Sequence, residues 1–315
     1  MTSLTIHGVA HTRDHAALLS LIAGALAIAL SPILARVSEL EPVATAFYRL
    51  IVALPFFWLG TFAEGRGGGR SRPPRQLRPL SRADALLMGA AGLMLAGDLA
   101  LWHLSITMTS VANATLFNNC APVFVALFGW LLFRERVGGT LVAALAVALS
   151  GMALLIGDGL VAAPGAVPGG GEWRWAGDAV AVVTGAFYAG YLLIVKRLRA
   201  AHSTSRIMLG TSAAAAVFLL GAALLEGGPL LPQGPWGWGV VLALGIVCHV
   251  FGQGAITHAL ARLPVTFSSI GLLLQPIAAA ALAWLLFDEA LGPLQWAGGG
   301  LVLFGIVLAR RAPAG

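Results

Sequence analysis

The sequence predicts an all-α membrane protein in which ten transmembrane helices form two inverted five-helix repeats. Three observations carry that expectation. The first is a shortage of charge: 58% of the 315 residues are hydrophobic and 10% are charged, whereas water-soluble domains carry about a quarter charged residues. A soluble fold of this size has more surface than so few charges can cover. The second is a series of ten apolar runs, each near the ~20 residues that a helix needs to cross a bilayer. The third is a phrase spelled twice, WLLFRE at 130–135 and WLLFDE at 284–289.

In chain order the runs occupy 16–35, 43–63, 83–104, 110–133, 140–157, 179–195, 207–225, 237–260, 265–287 and 293–309. None alternates with period two, which argues against a β-barrel. The 40 glycines suit helices whose backbones approach closely in lipid. The first run follows a stretch of mixed polarity and is long enough to span, so it reads as a helix rather than a cleavable signal peptide. Most connections are short, and two are not. Residues 64–82, EGRGGGRSRPPRQLRPLSR, form a Gly/Pro/Arg loop that cannot be helical throughout. Residues 158–178, DGLVAAPGAVPGGGEWRWAGD, form a Gly/Pro linker near the middle of the chain. The domain reading is a first repeat at 1–157, an extracytoplasmic linker at 158–178 and a second repeat at 179–315.

Cations orient the runs. With a cytoplasmic N-terminus, 16 of the 19 Lys and Arg residues fall on inner segments, and the outer ones hold only Arg36 and Arg174. Arg49 lies within the second run. This asymmetry places both termini in the cytoplasm of a bacterial inner membrane. The net charge of +6 is therefore an orientation signal. It lacks the continuous basic face of a nucleic-acid binder. Cys120 and Cys248 fall inside apolar runs and read as packing residues.

The repeated phrase has an offset of 284 − 130 = 154. The same offset aligns Pro122 with Pro276, Glu135 with Glu289, Gly138 with Gly292 and Gly151 with Gly305, in one gapless register from about 111 to 155. A weaker match, AGA at 23–25 with TGA at 184–186, has an offset of 161. Five crossings is an odd number, so the second repeat must run through the membrane in the opposite sense. Arg134 and Arg136 of the first copy accordingly become Asp288 and Ala290. Inverted repeats place binding sites at their interface near mid-membrane. The fourth and ninth runs centre on Pro122 and Pro276. A proline there frees the carbonyl four residues earlier, at Asn118 and Leu272. Freed backbone at that depth suits a wet cavity, although plain helix curvature is the alternative.

The segments TSVANATLFNNCAPVFVALFGWLLFRERVGG (109–139) and PVTFSSIGLLLQPIAAAALAWLLFDEALGP (264–293), with FYRLIVALPF (47–56), carry a resemblance to the EamA-type members of the drug/metabolite transporter superfamily. It covers nearly the whole chain and is stronger for fold than for substrate. The resemblance implies ten helices in two inverted halves around a central cavity that moves small metabolites. Bacterial relatives are often exporters of amino acids and similar compounds. The Arg-rich loop at 64–82 is longer than the family usually shows.

Candidate site residues are the polar groups inside apolar runs, where they are costly. Arg49 and Asp98 lie at matched depth and can pair, either as a static lock or as a gate or site for the two ends of a zwitterion. Asn118 and Gln275 stand just before the two prolines. His249 and Gln253 are four residues apart and share a helix face; they offer donors and acceptors to a ligand, or pack. Tyr188 lies near mid-membrane and Tyr191 and Tyr48 lie in helices, where each hydroxyl requires a partner. His103 reads as part of an aromatic belt and His258 as a boundary residue. His7, His11 and His15 repeat every four residues and read as a solvated tail, with metal binding the alternative. No GxxxxGK(S/T) or HExxH motif occurs, so no cofactor or metal is implied.

The expectation is a secondary transporter, not an enzyme, that exports small metabolites by alternating access. Amino acids, aromatic ones among them, are the expected cargo. The alternatives are an uptake carrier for a sugar, nucleotide or drug on the same fold, and a channel or non-transporting scaffold. The expected partners are a small molecule and the bilayer, without nucleic acid. Ten helices can enclose a cavity as a monomer or within a homo-oligomer.

Overall fold

Apolar runs become helices because in lipid only a helix or a closed barrel satisfies every backbone hydrogen bond internally. The computed structural model describes residues 3–66, 79–109, 111–133, 138–156, 174–287 and 292–311. The first span is α1 (Ser3–Arg36), and the second is divided into α2 (Pro42–Ile51) and α3 (Leu54–Arg66). The third is α4 (Arg82–Met108), the fourth α5 (Val111–Asn118) with α6 (Ala121–Phe133), and the fifth α7 (Gly139–Ile156). The sixth and seventh are α8 (Arg174–Leu198) and α9 (Thr204–Glu226). The eighth joins α10 (Pro235–Ala243), a π-helix (Leu244–Gln253) and α11 (Gly254–Ala259). The ninth is α12 (Val265–Gly271) with α13 (Leu274–Phe287), and the tenth is α14 (Pro293–Arg311). Among the described residues nine spans are long and apolar enough to cross a membrane; Gly139–Leu155 of the fifth is apolar and shorter.

Prolines set the breaks. Pro55 has no N–H for the Ile51 carbonyl, and α2 gives way to a turn at Val52 and Ala53, with Ala53 N–H bonding the Leu50 carbonyl instead (3.1 Å). The fourth span turns at Asn119 and Cys120, and the ninth at Leu272 and Leu273, each just before its proline. The carbonyl that the sequence led one to expect free in the ninth span is bonded. The Leu272 carbonyl is not freed: it accepts the Gln275 N–H at 2.9 Å in a tightened turn. The Asn118 carbonyl faces Gly185 of α8, whose Cβ, if present, would approach it to 3.1 Å.

Other departures are extensions and a change of helix type. α1 begins at Ser3, so the stretch read as a tail is helical. The side chains of His7, His11 and His103 lie outside the described residues, as do Arg134, Arg136, Asp288, Ala290, residues 67–78 and residues 157–173. Among the described residues no group of three or more His, Cys, Asp or Glu is placed to hold a metal. The π-helix in the eighth span has no counterpart in the sequence reading.

The two halves meet as an inverted pair. A Cβ on Gly151 of α7 would meet the Gly298 carbonyl oxygen at 2.7 Å and the Val302 nitrogen at 2.6 Å. A Cβ on Gly305 of α14 would meet the Ala144 carbonyl oxygen at 2.9 Å and the Ala148 Cβ at 2.7 Å. Adding 154 to 144, 148 and 151 gives 298, 302 and 305, so one contact set is the other seen in reverse. Numbers rise along α7 as they fall along α14, so the equivalent helices run antiparallel. The same exchange recurs near the centre. α8, the first helix of the second half, packs on α4, α5 and α6; α1, the first helix of the first half, packs on the π-helix, α11 and α13.

The main core gathers Leu21, Leu50, Leu95, Leu192, Ile207 and Ile256 between these central helices. A second cluster, with Met152, Ile270 and Val302, fills the α7–α14 side. Leu19, Leu26, Phe56, Leu127, Val217 and Phe304 point outward, as lipid-facing side chains do in a solvent as apolar as they are.

Candidate functional site

Helix breaks bring the polar side chains together. Arg49 occupies the last turn of α2, one turn before the Val52–Ala53 break, and its Nη1 donates to Ser31 Oγ of α1 at 3.1 Å. Its Nε is buried without a partner. Asp98 of α4 is 8% exposed and accepts Asn118 Nδ2–H at 2.8 Å. Asn118 ends α5, and its Nδ2 also donates to Thr184 Oγ1 of α8 at 2.8 Å; Thr184 in turn donates to the Ala181 carbonyl at 2.6 Å. Three spans from both halves thus share one amide. Gln275, in the first turn of α13, has a buried Nε2 without a partner.

These groups line two adjoining chambers. The upper, of about 230 Å³, is bounded by Ser31, Pro32, Ala35, Thr45, Arg49, Asp98, Trp102, Asn118, Gln275 and Pro276. Ala35 and Pro42 carry it to the end of the bundle where α1 stops and α2 starts. The lower, of about 130 Å³, is bounded by Leu50, Leu95, Asp98, Pro122, Tyr188, His249, Gln253, Ser269, Leu272 and Leu273. Arg49, Asp98, Asn118, Asn119 and Gln275 belong to both and form the neck between them.

Beyond the lower chamber the ends of the sixth and eighth spans are tied together. Lys196 Nζ donates to the Leu260 and Leu263 carbonyls, both at 2.8 Å. Arg199 donates from Nε to the Thr257 carbonyl (3.1 Å) and from Nη1 to the His202 carbonyl (2.6 Å). His202 Nε2 lies 3.2 Å from Asp84 Oδ2, without the alignment of a hydrogen bond. These cations cap the C-terminal carbonyls of the eighth span, where positive charge is favoured.

The nine residues expected to bind substrate or kink the helices around the cavity border the chambers: Arg49, Asp98, Asn118, Pro122, Tyr188, His249, Gln253, Gln275 and Pro276. Arg49 and Asp98 face the same space but do not form a contact ion pair, since no N···O approach between them is within 4.0 Å. Each is held by a neutral partner instead. Tyr188 stacks on Tyr191 (centroids 6.0 Å, 18°), whose hydroxyl reaches Met208 Sδ at 3.8 Å and accepts from Gln253 Nε2 at 3.4 Å. Tyr48 packs edge-on against Trp238, and His258 is on the surface, away from both chambers. Sequence reasoning passed over Ser31, Thr184 and Ser269. Hydroxyls are inexpensive inside a helix, where they bond back to a carbonyl of the preceding turn, so burial cost does not flag them.

A largely apolar cavity with polar side chains at its neck, at the seam of two inverted helical repeats, is the arrangement found in many membrane transporters. The chain belongs to the EamA-like transporter family, whose model matches it twice, over residues 15–157 and 175–311. It is 25% identical over 240 residues to the pseudopaline exporter CntI of Pseudomonas aeruginosa, covering 75% of this chain and 78% of that one. It is 29% identical over 212 residues to a probable terminal-alkyne amino-acid exporter of Streptantibioticus cattleyicolor, covering 64% and 65%. The transporter YwfM of Bacillus subtilis is 24% identical over 300 residues, covering 84% and 94%. A solved crystal structure, 18% identical, superposes with a TM-score of 0.74 over 94% of this chain and 98% of its own. The protein is a multi-pass membrane transporter.

Proposed function

We propose that the protein exports small zwitterionic metabolites, amino acids first among them, across the bacterial inner membrane by alternating access. One observation carries this reading: Asp98 is buried, Arg49 is half-buried with its Nε enclosed, and the two front the same cavity with opposite charge yet are not spent on each other. Two unmatched charges at membrane depth are expensive. A ligand carrying the complementary pair removes that cost from both at once. In this reading the carboxylate meets Arg49 Nε and Gln275 Nε2, and the ammonium meets Asp98, which Asn118 holds in place.

The direction and orientation rest on different support. Two relatives are named as exporters, one of them of an amino acid. The cation distribution supports cytoplasmic termini; in that orientation the upper chamber looks outward and the Lys196–Arg199 ties lie on the cytoplasmic side. Residues 1–157 and 179–315 act as the two rocking halves, joined by the 158–178 linker on the outer side. Tyr188 suits aromatic and apolar side chains among the cargo.

Thermal unfolding of the purified protein tests the zwitterion requirement. A ligand at about a hundred times its Kd stabilises the folded form by about 2.7 kcal/mol. Leucine or phenylalanine raises the midpoint; leucinamide, without the carboxylate, and N-acetylleucine, without the ammonium, do not. Equal stabilisation by either derivative contradicts the reading.

A further inference from the structure

The lower chamber contains a group that the Arg49–Asp98 clasp does not use. His249 is 1% exposed, and its Nε2 makes a 2.8 Å hydrogen bond with Ser212 Oγ of α9. Phe57 packs edge-on against the ring, centroids 5.9 Å apart at 77°. Nδ1 is buried without a protein partner. A phenyl ring would fill the same space, whereas an unmet buried donor or acceptor is destabilising. The ring is delivered here by the π-helix Leu244–Gln253, a helix form that is rare and concentrated at functional sites. Whichever tautomer faces Ser212, the second nitrogen remains a hydrogen-bonding position on a ring that lines the chamber.

The surroundings define what that position can read. Leu50, Leu95 and Leu272 supply apolar wall, and Tyr188 supplies an aromatic face. The volume of about 130 Å³ suits one side chain rather than a whole metabolite. The neck at Arg49, Asp98 and Gln275 lies where the charged main-chain groups of an amino acid would sit.

We infer that the lower chamber is a side-chain subsite in which His249 selects cargo whose side chain carries a hydrogen-bonding group over cargo of the same shape without one. The inference rests on the zwitterion reading above and adds a discrimination within it. Ser212 is the positioning residue, because it occupies Nε2 and leaves Nδ1 as the nitrogen without a protein partner. Specificity of this kind comes from the site's own polar atom, which the apolar isostere leaves unpaired.

Two isosteric pairs test it by titration of the purified protein: asparagine against leucine, and threonine against valine. Wild type favours the polar member by about tenfold, the value of one hydrogen bond in a dry site. His249→Phe reduces that ratio to about one while still binding leucine. Two further variants keep the test decisive if the phenylalanine variant does not fold. His249→Gln retains an amide near the Nε2 position and loses the preference; His249→Asn retains one near Nδ1 and keeps it. A wild-type ratio near one, or an unchanged ratio in His249→Gln, overturns the subsite. Failure of all four amino acids to bind removes the zwitterion reading and the subsite with it, whereas binding with unaltered ratios removes the subsite alone.

Discussion

Asp98 is tolerated at membrane depth because Asn118 divides its amide between that carboxylate and Thr184. Removing only one partner of a buried polar contact costs more than removing both. Asn118→Leu is therefore expected to lower stability by about 2–3 kcal/mol. Adding Asp98→Asn to it restores part of the loss, because the stranded charge is gone. Thermal midpoints of the two variants in detergent check this; a double variant less stable than Asn118→Leu contradicts it. At this scale the sequence was informative where chemistry is expensive. Arg49, Asp98, Asn118 and Gln275 stand out inside apolar runs, and all four border the cavity. Which partners they choose was not legible. Arg49 and Asp98 suggested each other by depth, but Ser31 and Asn118 compete successfully with short neutral contacts that need no charge to be brought closer.

The elements are interrupted where the site needs side chains to turn inward. The fourth and ninth breaks were legible because Pro122 and Pro276 mark them. The second was not read, although Pro55 causes it, and it leaves Arg49 in the last turn of α2. The π-helix has no such marker: in a segment with only two polar side chains, His249 and Gln253, an extra residue per turn disturbs no visible periodicity. Pairing between elements was better written. Gly151 and Gly305 align at the repeat offset and face each other's helix at equivalent points. Leucine at either position overpacks the α7–α14 contact, at a cost of about 1–3 kcal/mol. The two losses are expected to be nearly equal, as the two-fold relation requires. Unfolding midpoints of Gly151→Leu and Gly305→Leu check it; loss at one position alone contradicts the symmetric contact.

The whole molecule is two copies of one five-helix unit set head to tail, with the cavity where the first helix of each packs on the other half. Its upper chamber reaches one end of the bundle, and the Lys196 and Arg199 contacts join the sixth and eighth spans at the other. Under the proposed alternating access, this asymmetry is that of a carrier on one side of its cycle. The architecture was legible because duplication left Pro, Trp, Glu and Gly in one frame. The cargo was not, because shape and polarity inside the cavity come from side chains far apart in sequence. The central claim is that Arg49 and Asp98 together hold a zwitterion during exchange. Counterflow of labelled amino acids in proteoliposomes tests it most directly. Wild-type protein is expected to show exchange accelerated by unlabelled amino acid on the opposite side, and Arg49→Ala and Asp98→Asn each to reduce it by roughly tenfold or more. Exchange at the wild-type rate in both variants would contradict it.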